Sequence, residues 1–168
     1  MSIWQSFGYK YSHSERFSFK RGINYWHTGY AWVCNHQYYH NIDGLYDKAI
    51  LGSCDYIICQ GYFSKAVFGH KSLTYFKDNV ESYISNLTDI KVGYIPTNIK
   101  HYFHGSKANR KYIERNEILI RYNYNPEMYI QYDEQGVIIP SPDMPKEFLL
   151  DIYNYFSERN EDEYYDLV

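Results

Sequence analysis

Apolar residues fall in short runs separated by polar turns, and the spacing within each run sets the elements the chain is expected to form. Tyr30 to Cys34 is a continuous apolar run of strand length, followed by Asn35, a plausible N-cap for a short helix through Ile42 that stops near Gly44. Ile50-Leu51-Gly52 leads into Ser53, which would cap a helix to about Phe63, and Ser72 would cap a longer one to about Lys91. Val92 to Phe103 is rich in β-branched and aromatic residues and predicts a strand. Asn109 to Tyr122 places Tyr112, Ile113, Leu119 and Ile120 at helical spacing. Tyr129 to Tyr132 and Val137 to Ile139 flank Asp133-Glu-Gln-Gly136 as a hairpin. Pro145 suits the first turn of a last helix with Phe148, Leu149, Ile152, Tyr155 and Phe156 on one stripe. These elements predict an α/β fold, a small mixed sheet flanked by helices. Residues 1–28 form an irregular aromatic and basic lead-in, 29–160 a single domain, and 161–168 an acidic tail.

At 168 residues the chain is long enough for one ordinary core. A net charge of −3 without a long basic arm gives no reason to expect nucleic acid or an anionic membrane as partner. No apolar run approaches the ~20 residues of a membrane span. Cys34, Cys54 and Cys59 are odd in number and lack Cys-x-x-Cys spacing, which argues against a disulfide framework and a zinc ribbon and for a reducing, cytoplasmic setting. The 22 tyrosines and three tryptophans can supply stacking platforms for sugars or record AT-rich codon usage.

Candidate chemistry concentrates in His101-Tyr-Phe-His-Gly-Ser-Lys-Ala-Asn-Arg-Lys-Tyr-Ile-Glu-Arg115, which sets imidazoles, a glycine and several cations at a strand-to-helix junction. A helix start favours anionic oxygens, and Lys107 and Arg110 would add donors for a diphosphate. Lys107, Arg110 and Arg115 can equally form a solvated helix face with ordinary i,i+3 and i,i+4 pairs. His101 and His104 point to opposite faces of a regular strand, so at most one of them would serve a given ion. Asp55, in the first turn after Ser53, would sit where the helix dipole keeps its carboxylate ionised. His36-Gln-Tyr-Tyr-His40 has the i,i+4 spacing of zinc hydrolases, with Cys34 just before it. Position 37 is glutamine where those enzymes carry the general base, so two surface histidines are the preferred reading.

Gly29-Tyr-Ala-Trp32, Gly44-Leu-Tyr-Asp47, Ile50-Leu-Gly-Ser-Cys-Asp55, Val92-Gly-Tyr-Ile-Pro96, the His101 to Arg115 run, Ile118-Leu119 and Arg159-Asn-Glu-Asp162 occur in one order over most of the chain. In that order they resemble the C-terminal half of GT-A-like glycosyltransferases, a group with uncharacterised bacterial, phage and giant-virus members and, more distantly, the β-galactosyltransferases. The resemblance implies a protein that transfers or binds a sugar from a nucleotide-sugar donor. It implies Asp55 as the base on a glycan acceptor hydroxyl, His104 as ligand of a Mn²⁺ or Mg²⁺ ion, and Lys107, Arg110 and Arg115 on the donor diphosphate. Tyr30, Trp32 and Tyr102 are the candidate sugar-stacking rings. Cys54 stands where the relatives usually have Gly or Ala. The Asp-x-Asp of the donor-binding half is absent from the sequence, so a separate chain is expected to supply that half. The alternative is a non-catalytic nucleotide- or glycan-binding or interaction module.

Overall fold

The computed structural model describes residues 5–13, 27–28, 31–64, 71–88, 91–100 and 109–159. The fold is mixed α and β: seven α-helices, one 3-10 helix and a two-stranded antiparallel sheet among these residues. The chain divides into two compact units, residues 1–47, 52–67 and 80–100 in the first and 48–51, 68–79 and 101–168 in the second.

In the first unit, α1 (Phe7–Ser12) starts at Ser6, whose hydroxyl accepts the Tyr9 N–H at 3.2 Å. This helix replaces part of the irregular lead-in expected over 1–28. Ser6 and His27 form a parallel bridge through Phe7 N–H to His27 carbonyl (2.8 Å) and His27 N–H to Gln5 carbonyl (3.0 Å). Gly8 allows a close approach, because a Cβ there would sit 2.5 Å from the Gly93 carbonyl oxygen. Phe7 and Cys59 form a buried cluster with Tyr11, Tyr56, Tyr62 and Val92 packed around it.

The helix expected after Asn35 is α2 (His36–Asn41). Asn35 Oδ1 accepts the Gln37 and Tyr38 N–H groups, and the chain turns out of the helix through the left-handed Asp43 (φ 59°) and Gly44 (φ 83°). The strand expected over 30–34 is not formed by its described part: residues 31–35 are irregular and Val33 is exposed. Residues 91–100 likewise form no strand. Pro96 lacks a ladder donor, and Tyr94, Ile95 and Ile99 are exposed rather than paired into a sheet.

Helix α3 (Cys54–Ser64) matches the expected helix, with Ile57, Ile58, Cys59 and Gln60 all buried. Its Gly61 lies against Ile84 and Leu87, at and beyond the end of α4 (Lys77–Ser85). The long helix expected from Ser72 to Lys91 is instead a 3-10 segment, Lys71–Phe76, followed by this shorter α4. Ser72 is inside the 3-10 segment and buried. Its hydroxyl donates to Asn116 Oδ1 at 3.1 Å rather than capping a helix.

The second unit is built on aromatic packing. α5 (Glu114–Arg121) begins later than the predicted Asn109 because Lys111 is left-handed (φ 48°) and residues 109–113 form turns. α6 (Pro126–Tyr129) is capped by Asn125 and runs into β1 (Ile130–Tyr132), which pairs with β2 (Ile138–Pro140) in the register Ile130 to Pro140 and Tyr132 to Ile138. Asp133 Oδ1 accepts the N–H groups of Gln135 and Val137, and Gly136 supplies φ 78°, so this hairpin has the turn the sequence predicts. The sheet among the described residues is thus antiparallel, where a mixed sheet was expected. α7 (Lys146–Ser157) follows Pro145 at its N-cap. Of its predicted stripe, Phe148 and Tyr155 are buried and Ile152 half-buried, whereas Leu149 and Phe156 are exposed. Tyr124 is fully buried at the centre, edge-on to Phe76 and Phe148, with its hydroxyl donating to the Lys48 carbonyl at 2.7 Å. No helix among the described residues is long and apolar enough to cross a membrane.

Candidate functional site

Asp55 sits at the second position of α3 with its carboxylate exposed. Ser53 directly precedes the helix and its carbonyl accepts the Ile57 N–H at 3.0 Å, but its φ of 80° departs from the extended backbone of the predicted N-cap. The carboxylate is oriented instead by two donors: the Thr28 hydroxyl to Oδ2, and the Tyr56 N–H to Oδ1 at 2.8 Å. Thr28 is held in turn by the Cys59 thiol, which donates to its carbonyl at 3.7 Å. Each carboxylate oxygen keeps a second lone pair toward solvent, which is what acceptance of a hydroxyl proton requires.

The same face of α3 continues through Cys59 to Tyr62, at i+4 and i+7 from Asp55, a rise of ~10 Å along the axis. Trp32 packs at the Tyr62 end. Its ring lies 6.1 Å from Phe7 in a stacked arrangement and 6.3 Å from Tyr62, and the residue remains 39% exposed. Trp32 thus joins the aromatic cluster at the Tyr62 end of α3, and the oriented Asp55 carboxylate lies at the start of the same helix. Sugars are bound through such pairings, their C–H faces on an aromatic ring and their hydroxyls on a carboxylate.

Neighbouring groups are set as neutral species. Burial, followed by the nearby Asp55 charge, pushes the Cys59 thiol far above its usual range, which leaves it a packed S–H donor rather than a nucleophile. Burial likewise raises the Tyr62 phenol, reinforced by Tyr38, and burial raises Tyr83, whose hydroxyl donates to the Gly44 carbonyl at 3.2 Å.

Arg110 and Arg115 belong to the second unit. Their guanidinium carbons lie 5.0 and 4.6 Å from the centroid of the same Tyr112 ring. Two cations therefore converge on one side chain just before and within the first turn of α5. That turn also carries Glu114 and Glu117, and Ile113 offers no side-chain cap. Of the other expected site residues, Tyr30, Tyr102, His104 and Lys107 lie outside the described residues, as does His101. Among the described residues no group of three or more His, Cys, Asp or Glu side chains is placed to hold a metal ion.

Thr28 escapes a reading of the sequence, since it lies 27 positions before Asp55 and no motif links them. The backing of Trp32 by Phe7 is equally distant in sequence. Comparison with known protein families, curated proteins and solved structures returned no match to this chain.

Proposed function

We propose that this chain is a glycosyltransferase-like protein whose first unit holds a glycan acceptor on the Trp32 and Asp55 face. The observation that carries this reading is the orientation of the exposed Asp55 carboxylate by Thr28 at the start of α3, the helix whose Tyr62 packs against the half-exposed Trp32. In the transfer step Asp55 takes the proton of an acceptor hydroxyl while that oxygen bonds to the anomeric carbon of a nucleotide-sugar. The bond to the diphosphate breaks and its electron pair leaves with the diphosphate. Within the second unit Arg110 and Arg115 converge on Tyr112, and the resemblance assigns them, with Lys107, to a donor diphosphate. A Mn²⁺ or Mg²⁺ ion on His104 belongs to this reading as an expectation from the resemblance, and no step above depends on it.

A non-catalytic glycan-binding module uses the same face, and one pair of variants separates the two readings. Trp32→Ala should weaken binding of neutral oligosaccharides in both cases, by about tenfold. Asp55→Asn should leave glycan affinity within about threefold yet lower sugar transfer at least ~100-fold in the transferase. Transfer that survives Asp55→Asn removes the general base. Glycan affinity unchanged by Trp32→Ala removes the face itself.

A further inference from the structure

His36 and His40 lie one helical turn apart on α2, both exposed, with their Nε2 atoms 3.0 Å from each other and their rings 4.4 Å apart. The face of α2 that carries them is defined at both ends, by the Asn35 cap and by the left-handed exit through Asp43 and Gly44. We propose that this pair is a two-imidazole chelating site for a divalent transition ion of the Cu²⁺ or Ni²⁺ type.

Ligand chemistry selects the class of ion, since a pair of imidazoles favours the late divalent ions, Cu²⁺ and Ni²⁺ foremost. At a metal–nitrogen distance of ~2.1 Å, two nitrogens in cis positions of a square or octahedral ion lie ~3.0 Å apart, whereas a tetrahedral ion spreads them to ~3.4 Å. In the present structure the two nitrogens are 3.0 Å apart because one ring donates its N–H to the other, and an ion held by both would take the place of that shared proton. Histidine χ2 is a broad torsion, so two exposed rings can turn their Nε2 lone pairs onto one point without disturbing the helix. Both Nδ1 atoms then carry the protons, and solvent fills the remaining positions. Hard ions such as Mg²⁺, which seek oxygen ligands, are discriminated against.

Gln37 donates to Asn41 at 3.0 Å, which occupies the position where a zinc hydrolase carries its general base, so the site binds an ion without activating water for hydrolysis through that residue. Cys34, an exposed thiol two residues before His36, is the nearest soft donor in sequence and is the control the test requires.

The test titrates the purified full chain with Cu²⁺ and Ni²⁺, and with Mg²⁺ for comparison, in parallel with His36→Gln, His40→Gln and Cys34→Ser. One tight Cu²⁺ equivalent per chain, electron paramagnetic resonance couplings from two imidazole nitrogens, and a loss of about tenfold or more in affinity in either His variant are expected. Cys34→Ser should leave the affinity unchanged. Ni²⁺ should also raise the thermal midpoint of the wild type but not of His36→Gln, because an ion bound only by the folded helix stabilises it. The proposal is overturned if the His variants bind Cu²⁺ as tightly as the wild type, or if the affinity falls only in Cys34→Ser.

Discussion

At the scale of single residues, two effects compete at Gly8 and their sizes decide the outcome. Alanine is favoured over glycine inside a helix by ~1 kcal/mol, so propensity alone makes Gly8→Ala stabilising. A Cβ at that position would meet the Gly93 carbonyl oxygen at 2.5 Å, and backbone cannot yield as the end of a side chain can. Overpacking of this kind costs ~1 to 3 kcal/mol, which exceeds the propensity gain. Gly8→Ala should therefore lower the urea midpoint; a midpoint at or above that of the wild type would show that α1 does not lie against Gly93. Thr28 invites a second substitution. Thr28→Val keeps the shape and removes the donor to Asp55 Oδ2, so under the proposed function it should slow sugar transfer while leaving oligosaccharide affinity close to that of the wild type. Equal turnover in the two proteins would mean that the hydrogen bond does not position the base.

At the scale of elements, local chemistry was legible and long-range partnership was not. Asn35 before an aromatic-rich segment, Asp133 four residues ahead of Val137 with Gly136 between them, and Pro145 ahead of an apolar stripe each carry their own start or turn signal, and α2, the β hairpin and α7 follow them. The strands predicted for 30–34 and 92–103 rested on β-branched and aromatic content alone. That content records suitability for a half-buried surface and needs a paired neighbour to become a strand. In the described parts of both segments the neighbour is missing, and side chains such as Val33 and Ile95 face solvent. Ser72 illustrates the other kind of miss: a residue with N-cap chemistry is drawn into the interior because Asn116, far along the chain, accepts its proton. Asp55 could be singled out from its place in a first turn, whereas the hydroxyl that orients it and the rings that back Trp32 come from segments whose proximity no spacing announces.

At the scale of the whole molecule, the buried Cys59 and the half-buried Tyr62 and Tyr83 predict how stability depends on pH. The folded state raises the Cys59, Tyr62 and Tyr83 pKa values, so it keeps protons that the unfolded chain releases near the ordinary ~8.5 of a thiol and ~10 of a phenol. The stability these groups contribute is complete below those values and is lost as pH rises beyond them toward the raised folded values. Urea midpoints should thus fall above pH ~9, and less steeply in Tyr62→Phe, which has no proton to lose at that site. An identical alkaline slope in the variant would place the sensitive group elsewhere.

The glycan face is the central claim, and it has a direct reporter, since Trp32 is both the proposed platform and the carrier of an indole N–H with its own resonance. The decisive measurement is a titration of the ¹⁵N-labelled chain with neutral oligosaccharides, following the Trp32 indole signal, assigned by its loss in Trp32→Phe, together with the backbone amides of the first turn of α3. The predicted result is a saturable shift of the Trp32 indole and the Asp55 and Tyr56 amides with one shared affinity. Oligosaccharides that leave all three signals in place, or that shift only resonances of the second unit, would contradict it.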